Sequence, residues 1–231
     1  MKNTKRVLIF IGTILVGYLL FIIPDVFFGI TKINGGKIGI NLFLIAVFQF
    51  ASVICLLYFS LKKLKLSFAE IGLRFKNLKM DIFLGCCFGV SWTIAQFVFI
   101  IPNTGGADRL DIQGMLGMYD GSIIGTISFI SLGVIGGGVT EEIFNRGYFI
   151  TVLKGFFGNP RVGIWFSSIL SIALFTIGHM PTSLLYWFDI LVPTITYTLL
   201  FIYTKRLTAS IVAHGLYNLL AIILTYFLYY N

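Results

Sequence analysis

The chain has 231 residues, 58% of them hydrophobic and only 11% charged, a balance that excludes a water-soluble globular domain. Its formal net charge is +8, yet the Lys and Arg residues sit between apolar runs and form no continuous patch. That placement excludes nucleic acid as the reason for the charge and makes membrane topology its explanation.

Seven apolar runs, each long enough to cross about 30 Å of hydrocarbon as a helix, predict spans at roughly 7–29, 38–61, 81–101, 122–153, 161–180, 183–204 and 208–229. The expected fold is therefore all-α: a polytopic membrane bundle forming a single domain over 1–231. The first run has a basic start but is followed by Pro24, Asp25 and Phe27, not by small residues, which favours a retained signal anchor over a cleaved peptide. Cys55, Cys86 and Cys87 are odd in number and lie inside spans, so they read as packing thiols and neither a disulfide framework nor a metal site.

Between the second and third spans, Leu64, Phe68, Ile71, Phe75 and Leu78 recur at helical spacing among basic residues. This pattern predicts one interfacial helix on the cytoplasmic side. Ser67 and Glu70 have capping-box spacing, although Gly72 opposes the helix. The segment 102–121, rich in Gly and Asp, reads as an irregular outer loop without evident chemistry.

The fourth span holds Gly136, Gly137 and Gly138, which suit close helix packing or a local unwinding, and then Glu141, Glu142 and Arg146. Ionisable residues within a span mark a functional site by default. Glu142 and Arg146 are one turn apart with the acid first, the favourable order for an ion pair. Glu141 is turned about 100° away and has no cation of its own, so it is free to act as a base. The plainer alternative is that the trio is a structural ion-pair knot. In the fifth span Phe175 and His179 share a helical face; in the seventh, His214 and Asn218 do the same.

With the N-terminus inside, thirteen of the seventeen cations fall on cytoplasmic segments. They are Lys2, Lys5 and Arg6; then Lys62, Lys63, Lys65, Arg74, Lys76 and Lys79; then Lys154 and Arg161; then Lys205 and Arg206. Only Lys32, Lys37 and Arg109 face outside, which also puts the C-terminus outside. Counted from the nearest cytoplasmic loop, Glu141 lies about 20 Å deep, His179 about 27 Å and His214 about 12 Å. These depths converge in the cytoplasmic half of the membrane if the hairpin at 158–160 projects roughly 10 Å beyond it.

The three patterns E-E-x-x-x-R (Glu141, Glu142, Arg146), F-x-x-x-H (Phe175, His179) and H-x-x-x-N (His214, Asn218) resemble in kind and order those of the CAAX-protease and bacteriocin-processing (CPBP, Abi-like) family. The cytoplasmic segment Glu70, Ile71, Gly72, Leu73, Arg74 resembles one common in its bacterial members, so the likeness spans about residues 64–225. The resemblance implies an intramembrane endopeptidase. In it Glu141 and His179 activate a water, His214 and Asn218 stabilise the oxyanion, Glu142 and Arg146 are structural, and Phe175 lines the site. No cofactor is expected, although a catalytic zinc held by Glu141, His179 and His214 is the mechanistic rival. A proton-coupled transporter would show repeats that are not visible here. A bacteriocin-immunity or scaffold protein of the same family is the non-catalytic alternative. Composition suits a bacterial plasma membrane, and the expected partners are the lipid bilayer and a peptide precursor or membrane-protein segment.

Overall fold

The computed structural model describes residues 3–230; Lys2, counted above among the cytoplasmic cations, lies outside them. Among the described residues there are helices and turns but no strand. Seven helices are long and apolar enough to span a membrane: α1 (Asn3–Thr31), α2 (Ile40–Leu64), α3 (Leu78–Asn103), α5 (Ile123–Lys154), α6 (Pro160–Gly178), α7 (Leu184–Thr204) and α8 (Thr208–Tyr229). A short α4 (Leu110–Leu116) lies between α3 and α5. Helices satisfy every backbone polar group within the segment, which hydrocarbon demands. Large apolar side chains such as Leu15, Phe83, Ile169 and Phe227 point outward, as a lipid-facing surface requires.

Packing centres on α8. A Cβ at Gly85 would lie 2.7 Å from the Ala209 carbonyl oxygen, and one at Gly89 3.0 Å from that of Ala213, so α3 lies directly on the α8 backbone. On the other side, a Cβ at Gly138 would meet Gly215 Cα at 2.6 Å. Small residues let the backbones approach, and the helix that carries His214 and Asn218 is thereby clamped from two sides. The helix α1 is part of the bundle: Thr13 Oγ1 donates to Ser60 Oγ (2.8 Å), and Tyr18 OH donates to Asn145 Oδ1 (3.1 Å).

Three expectations are corrected. The interfacial helix does not form: residues 65–77 are turns, with Lys65, Gly72 and Asn77 all at positive φ. The capping-box bonds are present, with Ser67 N and Oγ donating to Glu70 Oε2 at 2.7 and 2.8 Å, but they close an isolated turn. These bonds from Ser67 hold the Glu70 carboxyl below the usual range. Ile71 is driven into the core while the Gly72 carbonyl accepts from Leu207 N (2.9 Å), so the segment is stitched to the bundle. The 102–121 segment is not simply an irregular loop: it contains α4, and its Arg109 is buried against Asp189 of α7. Nor are the thiols core packing groups, since Cys55 and Cys87 are exposed and only Cys86 is half-buried.

Candidate active site

From Leu132 to Ile150, α5 is wound wide, with i→i+5 bonding. Side chains help to hold this winding. Asn218 Nδ2 donates to the Gly133 carbonyl (2.8 Å), and Thr140 Oγ1 donates to that of Ile135 (2.6 Å). The triple glycine thus serves close packing and an altered winding together.

Glu142 and Arg146 are fully buried, and Arg146 Nη1 approaches Glu142 Oε1 to 2.9 Å. The contact is ionic and poorly aligned for a hydrogen bond; beneath the guanidinium lies the Phe175 ring, 4.3 Å from its central carbon. The same Oε1 lies 2.9 Å from His214 Nδ1. The Glu142 carboxylate therefore joins two of the sequence patterns, which spacing along α5 had not disclosed. Tyr197 of α7 stacks on the His214 ring with centroids 4.7 Å apart, fixing its plane.

With Nδ1 turned to Glu142, His214 presents Nε2 to open space beside Asn218. A Cβ at Gly137 would lie 3.6 Å from His214 Nε2 and 2.6 Å from Asn218 Nδ2. The two nitrogens thus converge on a gap that a glycine keeps open.

Glu141 is half-buried, and its Oε2 is shielded from solvent with no hydrogen-bond partner among the described residues. It lines a cavity of about 100 Å³ with Tyr18, Asn145, Phe175 and His179. His179 follows the last residue of α6; its Nδ1 lies 2.9 Å from the Phe175 carbonyl. A carbonyl can only accept, so Nδ1 carries the hydrogen and the neutral ring has its lone pair on Nε2. Phe175 and His179 also line a second cavity, of about 190 Å³, with His214 and Asn218. The two residues form the shared wall that brings all four predicted polar groups to one region.

This second cavity runs on to Asp111, Ile112, Met115 and Tyr186. At that end Gln96 Nε2 donates to Asp189 Oδ1 (2.7 Å), while Arg109 binds Asp189 and, through Nε (3.0 Å) and Nη2 (2.6 Å), Asp111. Burial alone would lower the affinity of Arg109 for its proton, but the bonds to Asp111 and Asp189 offset this and raise it. The cavity thus reaches the end of the bundle where α4 lies. At the other end, a Cβ at Gly163 would lie 2.8 Å from the Lys154 carbonyl oxygen, so α6 turns back tightly after α5.

No group of three or more His, Cys, Asp and Glu able to hold a metal ion exists among the described residues.

A membrane-helical fold with two histidines, an asparagine and a buried carboxylate around connected cavities belongs to the class of helical membrane proteins with an intramembrane polar centre. Residues 123–220 match the family model for type II CAAX prenyl endopeptidase Rce1-like. The match contains all three motifs. Neither a curated protein nor a solved structure matches the chain.

Proposed function

We propose that the protein is an intramembrane endopeptidase that hydrolyses a peptide bond with a water activated by Glu141. The observation that carries this reading is the Glu141 carboxylate itself, half-buried and unpartnered at Oε2 in a cavity it shares with His179. Water held between Glu141 and His179 Nε2 gives a proton to Glu141 as its oxygen attacks the peptide carbonyl. Negative charge then develops on the carbonyl oxygen, where His214 Nε2 and Asn218 Nδ2 donate, an arrangement worth about 3 kcal/mol per donor in a preorganised site. Glu141 returns the proton to the leaving amine.

His214 can donate from Nε2 only if the pair it forms with Glu142 holds an extra proton, because Nδ1 already faces the carboxylate. The mechanism is metal-independent. The substrate is a bacterial peptide precursor or a membrane-protein segment. With the N-terminus cytoplasmic, the cavity lined by His214 and Asn218 extends toward the outer face, so the scissile bond enters from that side.

The test compares peptide termini from host cells that carry wild-type protein or Glu141→Gln at matched membrane levels. Termini that vanish only in the variant support the protease and nominate its substrate. Identical profiles would replace it with the immunity or scaffold reading.

A further inference from the structure

A third cavity, of about 690 Å³, opens at the opposite end of the bundle, where α5 and α7 end and α6 begins. Four cations line it: Arg74, Lys154, Arg161 and Lys205. Among the described residues none of the four is in a salt bridge. Arg206, next in sequence, differs: it is paired through two bonds of 2.6 Å to Asp81. Glu70 also lines the space, but its Oε2 is taken by Ser67.

Lys154 and Lys205 end helices, where a single cation is favourable without any ligand. Helix ends do not account for the rest. Thr151 lines the same cavity, its Oγ1 buried behind the wall and without a hydrogen-bond partner. The positive N-terminal end of α6 reaches it at Pro160. Its remaining wall is hydrocarbon, from Phe157, Ile164 and Phe201. Unpaired cations, a helix N-terminus and an apolar wall at one membrane boundary match a molecule with a phosphate at one end and an acyl chain at the other. By the distribution of charge this end is cytoplasmic, the side on which anionic lipids attract basic segments.

We propose that this cavity binds an anionic phospholipid from the bilayer, its phosphate among Lys154, Arg161 and Lys205, and an acyl chain against Phe201 and Ile164. The site is independent of the protease reading.

The test is a titration of phosphatidylglycerol into the full chain held in phosphatidylcholine nanodiscs, with bound lipid counted by native mass spectrometry. Saturable binding is expected, weakened roughly ten- to thirtyfold in Lys154→Gln/Lys205→Gln, the loss of two surface cations. Arg161→Gln/Lys205→Gln, which alters two exposed side chains, gives the same reading should the first variant misfold. Lys76→Gln/Lys79→Gln, outside the cavity, should bind as the parent does. Equal weakening in all variants would mean diffuse surface attraction and overturn the site. Equally tight binding of soluble glycerol phosphate would overturn a lipid as its occupant.

Discussion

Gly137 separates the chemistry of the proposed site from its stability. Its missing side chain leaves the gap onto which His214 Nε2 and Asn218 Nδ2 converge, and the nearest obstacle to a Cβ is the movable end of Asn218. Gly137→Ala is expected to lower kcat by about a hundredfold, the scale of one lost oxyanion donor, while displacing Asn218 from the Gly133 carbonyl costs only about 1 kcal/mol in thermal unfolding. Arg146 is the opposite case. Removing it as Arg146→Met leaves the buried Glu142 with only His214, and a broken buried pair costs about 3–5 kcal/mol. Thermal unfolding in detergent should register that loss, and Glu142→Gln/Arg146→Met should recover part of it. The ion pair was legible because its partners are one turn apart. The bond from Glu142 to His214 was not, because it joins residues 72 apart in sequence.

Among the elements, the long helices were legible from hydropathy alone, since a lipid-facing span needs only length and apolar composition. The segment from Lys65 to Asn77 was not. Its apolar residues do have helical spacing, but Ile71 answers to the core and Gly72 adopts φ +98°, which no helix contains. Gly72→Ala would put a Cβ 2.8 Å from Phe201 Cε2 in a left-handed backbone. The expected destabilisation is at least about 1–2 kcal/mol, measured as a lower Tm. The capping-box pair was read correctly as a bond and wrongly as a helix start, because a turn uses the same donors and acceptor.

For the whole molecule, charge distribution predicts orientation while packing determines which end the site faces. Counting depth along single helices could not reveal this, because convergence depends on how tightly α6 turns back after α5 and on the inward fold of Arg109. The proposed sidedness is checked with single cysteines in a cysteine-free background, labelled on intact cells by a membrane-impermeant maleimide. Leu110→Cys, on the highly exposed side of α4, should react directly. Lys76→Cys should react only after permeabilisation. The reverse pattern would return the cavity mouth to the cytoplasm.

The bond from Asn218 to the Gly133 carbonyl also has a consequence for biosynthesis. The acidic pair leaves the ribosome before α8, which supplies both His214 and Asn218. A nascent chain therefore holds Glu141 but lacks the imidazole that faces Glu142 and the amide that helps to hold the wide winding. Until α8 inserts, the proposed site is incomplete, so the order of translation alone would delay its assembly.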